Sequence, residues 1–228
     1  MKYNSSMVAA ASGSLGGATF SHNRYGSYIR KRIVPVNPGS SGQVVVRNFF
    51  ATLAVLWSQT LTQAQRNAWI AYAAAVPISD ALGAAINITG ANWYTAVNVL
   101  RLQASLTRLD AAPTDFTRAS LTTPVPTAGA TTTSHAFTNA IASDRWANFI
   151  GGALAVFQSA PQTASHTFFK GPYRYAGKIV GAVVPPTSPS VINNPYPVVS
   201  GQKVYYKYVA LNADGRTSSP ILVSAVMP

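Results

Sequence analysis

Glutamate and cysteine are absent from this chain of 228 residues, and all five carboxylates are aspartate. The first of them is Asp80. Lys2, Arg24, Arg30, Lys31, Arg32, Arg47 and Arg66 precede it with nothing negative between them. Without cysteine there is no disulfide, no thiolate nucleophile and no Cys-ligated metal, so stability must come from packing or assembly. The shortage of carboxylates thins out acid–base and metal chemistry in the same way. Asp80, Asp110, Asp115, Asp144 and Asp214, with His22, His135 and His166, show no His-x-x-x-His, His-Glu-x-x-His or Asp-x-Asp spacing. No Gly-x-Ser-x-Gly elbow is present. A paired-acid glycosidase site would have only aspartate to draw on. Gly13-Ser14-Leu15-Gly16-Gly17 lacks the Lys and the helix of a phosphate loop and reads as a flexible arm. Asp144 is expected to pair with Arg145 or cap a turn, and Asp214 to sit in a hairpin turn. No enzyme, no cofactor and no metal site is expected.

What is present points to contact rather than reaction. Apolar residues make up 48%, enough for a real core, while charged residues are only 10% against formal net charge +12. A surface of small neutral polar residues is poorly protected against association, which suits a subunit packed among others; a lineage-wide compositional bias would give the same numbers. Seventeen Lys and Arg against five Asp make the N-terminal third a positive surface that calls for a negative partner. No apolar run of signal-peptide length follows Lys2. Val44–Trp57 and Ala68–Ile78 are too short to span a membrane, and Arg47 interrupts the first, so no membrane partner is expected.

Four zones follow from composition and periodicity. Residues 1–42 form a basic extended or hairpin arm. In its run Ser27–Val34, Tyr28, Arg30, Arg32 and Val34 share one face of a strand, and Ile29, Lys31 and Ile33 the other, until Pro35 and Pro38 end it. Residues 43–112 read as a small helical domain. Val46, Phe49, Phe50, Leu53, Leu56 and Trp57 make one apolar stripe, and Leu61, Gln65, Ala68, Trp69, Tyr72 and Val76 a second, in a two-helix hairpin. Thr62-Gln63-Ala64-Gln65 has capping-box spacing. Ala85–Thr89 reads as a short strand. A third helix then buries Trp93, Ala96, Val97, Leu100 and Ala104. Residues 113–133 have the Thr, Pro, Ala and Gly composition of a linker. Residues 134–228 read as an antiparallel β-sandwich, with strands at Ala153–Phe157, Thr167–Phe169, Lys178–Val184, Lys203–Leu211 and Pro220–Val226. The expected fold is therefore α+β.

Two resemblances join this reading. Tyr206–Pro220, with its alternating apolar residues, Asn212, the Gly215 turn and the Ser-rich approach to the last strand, resembles the final two strands of a fibronectin type III sandwich, which implies an Ig-like sandwich for residues 134–228. Across residues 13–112, Gly16-Gly17, Asn23-Arg24-Tyr25-Gly26, Tyr28, Arg30, Pro35-Val36-Asn37-Pro38, Gln43, Arg47, Trp57, Leu61-Thr62, Gln65-Arg66, Ala68-Trp69, Thr89-Gly90-Ala91-Asn92, Tyr94 and Asn98 resemble an uncharacterised family of tailed bacteriophages and prophages. That resemblance implies a structural virion protein, assembled in the host cytoplasm, with no catalytic residues to carry over.

The combined expectation is a capsid decoration (cement) protein that binds and bridges capsid subunits non-covalently, as a homo-oligomer. Arg24, Tyr25, Tyr28, Arg30, Lys31, Arg32 and Arg47 are the candidate partner-binding residues. Lys170, Tyr173, Arg174 and Tyr175 form a candidate outer contact patch. The alternatives are a neck, tail or head-fibre component, a nucleic-acid-associated basic protein that holds phosphates and stacks bases on the arm, and a host-glycan adhesin.

Overall fold

Helices stand beside sheets whose described strands pair antiparallel, so the fold class is α+β. A computed structural model describes residues 12–228 except 24, 25, 35, 38 and 80–82. The chain divides into two compact units, Met1–Ser41 and Gly42–Pro228.

The first unit is a three-stranded meander of β1 (Gly13–Leu15), β2 (Ala18–Asn23) and β3 (Gly26–Lys31). Gly16, at φ 57°, supplies the left-handed turn between the first two. Pro35 and Pro38 lie outside the described residues.

The second unit opens with α1 (Ser41–Gln59) and α2 (Gln63–Ala75). The chain turns through 118° between them, a corner rather than the expected two-helix hairpin. No single described helix is long and apolar enough to cross a membrane. Thr62 caps α2 with a complete capping box: its hydroxyl accepts from Gln65 N at 3.2 Å, and Gln65 Oε1 accepts from Thr62 N at 2.8 Å. A two-residue hairpin, β4 (Ile78–Ser79) with β5 (Ala85–Ile86), leads to α3 (Gly90–Gln103). Leu53, Leu61, Trp69, Tyr72, Trp93, Tyr94 and Val97 fill the core of these helices. Edge-to-face ring pairs hold it, Trp69 with Tyr94 at 5.7 Å and Tyr72 with Trp93 at 5.4 Å. Gly90 is required where it stands, because a Cβ there would lie 2.7 Å from Ile70 N.

One expectation for α3 fails. Ala96 is exposed, while Asn98 and Arg101 are buried. The helix is covered on two sides, by the other helices and by a β-sheet, so a single apolar stripe describes it poorly. Asn98 ties the helix to the following chain, donating to Leu109 O at 2.9 Å and accepting from Leu109 N at 2.8 Å.

The β region holds β6 (Val125–Ala128), β7 (Thr132–Ala136), the short α4 (Arg145–Asn148), β8 (Ala153–Ser159), β9 (Gln162–Thr163), β10 (Tyr173–Val180), β11 (Ser190–Asn193), β12 (Gln202–Leu211) and β13 (Ile221–Val226). One sheet runs β10-β8-β12-β13, with β9 also on β12; the other runs β11-β7-β6. Leu154, Val156, Val204, Tyr206, Tyr208 and Ala210 from the first sheet, and Ile192 from the second, share one core with Trp146 and Phe137. The alternation expected for β12 holds: Val204, Tyr206, Tyr208 and Ala210 enter this core, and Val209 and Leu211 face the other way into a third cluster. Two strand expectations do not hold. Residues 167–169 are not strand, and the strand expected at 178–184 lies at Tyr173–Val180. β-branched and aromatic composition marks residues that suit a strand without saying where a partner edge exists.

Residues 113–133 are also paired rather than loose. Ala119 N donates to Thr217 O at 3.3 Å, Thr122 N to Asp144 Oδ1 at 2.9 Å, and β6 lies against β7. Pro126 is tolerated because β6 is an edge strand. The helical and β regions have a common apolar cluster, in which Leu100, Ala104 and Leu106 meet Ala155, Phe157, Val209 and Leu211. Arg101 bridges them, donating to Thr107 O at 2.8 Å and Asn212 O at 3.1 Å.

Candidate functional site

Of the seven candidate partner-binding residues, Tyr28, Arg30 and Lys31 sit on β3 in the small sheet of the first unit. Its register sets Phe20 opposite Ile29, Thr19 opposite Arg30, Ala18 opposite Lys31 and Ser21 opposite Tyr28. Side chains alternate across a strand, so Tyr28 and Arg30 share a face with Ser14, Thr19 and Ser21. Phe20, Ile29, Ala18, Leu15 and Lys31 share the other. The Ser14 and Thr19 hydroxyls are hydrogen-bonded at 2.8 Å on the polar face. Arg32 follows the strand's last residue but keeps the pairing, its N–H donating to Gly17 O at 2.8 Å. Arg30, Lys31 and Arg32 are exposed, and Tyr28 is half-buried. Ile33 and Val34 run beyond the sheet, largely exposed. None of the described residues of this unit is buried. Arg24 and Tyr25 lie outside the described residues. Arg47, the last of the set, is exposed on α1 in the second unit.

The described carboxylates are all committed within the second unit. Asp110 pairs with Arg108 at 2.7 Å, and Asp115 and Asp214 both engage Arg216. The Thr117 hydroxyl, with Arg216 behind it, holds the Asp115 carboxyl below its ordinary range. Asp144 is buried and accepts from Thr122, Thr138 and Ser143 hydroxyls rather than pairing with Arg145. Asp214 does sit in the turn before β13, where Gly215, at φ 93°, donates its N–H to Asn212 O at 3.1 Å. Asp80 lies outside the described residues. Among the described residues no three His, Cys, Asp or Glu side chains gather as metal ligands would.

The candidate outer patch is split by the strand it rests on. Tyr173 and Tyr175 lie on one face of β10, and Arg174 turns to the other, 5.1 Å over the Tyr196 ring. Lys170 is exposed in the preceding loop. Tyr173 and Tyr175 instead gather with residues that the sequence did not single out as their neighbours. Tyr175 meets the Phe157 ring edge-on at 5.5 Å, and Lys207 Nζ stands 4.5 Å over Phe157 and 5.8 Å over Tyr173. The Tyr173 hydroxyl donates to Phe169 O at 3.1 Å, and the Tyr205 hydroxyl donates to His166 O. Phe169 stacks on Tyr205 at 5.6 Å. These rings therefore fasten the loop after β9 onto the sheet. Burial pushes the Tyr175 phenol up to about 12 and lowers the basicity of Lys207. Cross-strand register brings Phe157 and Lys207 together, and no local spacing announces it.

No family model, curated protein or solved structure matches this chain.

Proposed function

We propose that this chain is a structural protein of a tailed-phage particle, a capsid decoration protein that bridges capsid subunits without covalent bonds. One observation carries the reading. Every described carboxylate is spent inside the second unit, and the first unit has none in its sequence. Arg30, Lys31 and Arg32, exposed on or just beyond a small sheet with no buried residue among the described ones, suit an acidic surface. Helix α1 supports the same direction. It is apolar around most of its circumference, yet Leu53 is its one buried residue, and Val44, Val45, Phe50 and Val55 stand exposed. Helices of that composition are ordinarily covered. In this reading β1 or β3 adds to a neighbouring sheet edge and Arg30, Lys31 and Arg32 meet capsid carboxylates. The resemblance across residues 13–112 supplies the virion context.

The β region fits a fibronectin type III-like, and so Ig-like, sandwich. Leaving β9 aside, its first, second and fifth strands share one sheet, and its third, fourth, sixth and seventh the other. That division of seven strands between two sheets supports an Ig-like sandwich for the region.

Cryo-electron microscopy of particles carrying the chain tests the function. Density across the capsid lattice supports decoration. Density confined to the portal or tail reassigns the chain to a neck or fibre component. Absence from the particle, with retardation of DNA at physiological salt, replaces the virion reading with nucleic-acid association.

A further inference from the structure

Arg118 faces a cavity of about 370 Å³ between the helical and β regions of the second unit, lined also by Pro77, Ile78, Ser79, Ser219 and Pro220. Its guanidinium carbon stands 5.3 Å from the centre of the Trp93 ring, and its Nη2 donates to Ser218 O at 3.2 Å. Those two contacts fix the plane of the group. They leave most of its five donors unclaimed. Nε is buried without an acceptor. None of the described ion pairs includes Arg118, and the described aspartates are committed elsewhere. Burial penalises the charge, yet a guanidinium stays protonated at physiological pH. A half-buried cation that no described carboxylate meets is costly, and an arriving anion offsets that cost. Ser79 and Ser219 are exposed and line the same cavity. A planar guanidinium held by Trp93 and Ser218, with two serines lining the same open pocket where two regions meet, suits a planar monoanion.

We propose that this cavity binds a carboxylate, with Arg118 as its counter-ion and Ser79 and Ser219 beside it. The inference does not depend on the virion reading. Two sources carry the chemistry: a small organic acid, or an acidic side chain on a protein partner.

The test uses the full-length protein labelled with ¹⁵N. Acetate, acetamide and chloride are titrated separately, with the Arg118 Nε–H and the Trp93 indole N–H as reporters. Expected is a saturable shift with acetate alone. Arg118→Gln weakens it about tenfold or more and Ser219→Ala about threefold, the scale of one charged and one neutral hydrogen bond. Ser219 is exposed, so its variant keeps the question answerable if Arg118→Gln misfolds. A capped Gly-Glu-Gly peptide that binds about tenfold tighter than acetate identifies a protein partner; equal affinity identifies a small acid. Three results overturn the proposal: no saturable shift, equal shifts with acetamide or chloride, or shifts that neither variant changes. Binding that emerges only in Asp80→Asn also overturns it, since the protein's own carboxylate would then hold the site.

Discussion

His135 packs edge-on against Tyr206 and Tyr208, at 5.5 and 5.7 Å, with Nδ1 2.8 Å from the Tyr208 hydroxyl. Burial pulls its imidazole from the ordinary 6.5 down to about 4. The unfolded chain therefore binds a proton that the folded protein refuses between those values. The contribution is complete above pH 6.5 and is lost as pH falls through 4, with about 3 kcal/mol at stake. Urea denaturation at pH 7 and pH 4.5 should show most of that loss, and His135→Gln should flatten this part of the profile. Asp144 sets a second residue-scale expectation. Asp144→Ala strands the Thr122, Thr138 and Ser143 donors and should cost about 1–3 kcal/mol, read from the same denaturation curves. A structural role for Asp144 could be read from its sequence context. Its partners could not, because Thr122 and Thr138 reach it only after the chain has folded back.

At the scale of elements, local rules and packing compete openly in the helices. Thr62→Ala removes the capping-box acceptor and should destabilise by about 1 kcal/mol. Gly90→Ala is the sharper case, since helix propensity alone favours alanine by about 1 kcal/mol. The added Cβ would press on Ile70 N, and overpacking of that kind costs about 1–3 kcal/mol, so the net change should be destabilising. A midpoint that rises would show that α2 and α3 can separate without loss. Arg66 also has an element-scale role, donating to Trp57 O at 3.1 Å and Ser58 O at 3.3 Å, where it closes the carbonyl end of α1. The capping box and most of the α1 and α2 stripes were legible because they depend on residues within one or two turns, although Phe50 and Ala68, expected in those stripes, are exposed. The 118° corner was not, because it depends on how Leu53, Trp57, Trp69 and Tyr94 fit together.

For the whole molecule, the separation of charge is the organising fact. Reversing Arg30, Lys31 and Arg32 to Glu should abolish particle binding in a co-sedimentation assay while leaving the denaturation midpoint of the second unit unchanged. Deleting residues 1–41 should do the same, because residues 42–228 contain their own core. Full-strength binding by either variant would sink the anchoring role of the arm. Binding by the intact protein should weaken as salt rises from 0.05 to 0.5 M if exposed cations carry it, and persist if the apolar face of α1 carries it (these are order-of-magnitude limits, about 14 Å down to about 4 Å of screening length).

By itself, the sequence determined the charge asymmetry, the α+β class, the capping box at Thr62 and the alternation along β12. All of these follow from composition or from contacts a few residues apart. Tertiary structure alone decided that Phe157 and Lys207 join the Tyr173 and Tyr175 rings, and that Leu100, Ala104 and Leu106 share a core with β8 and β12. It also decided that Arg118 meets Trp93 beside a cavity. Those arrangements depend on strand register and on the docking of distant segments, and periodicity along a chain carries no record of either.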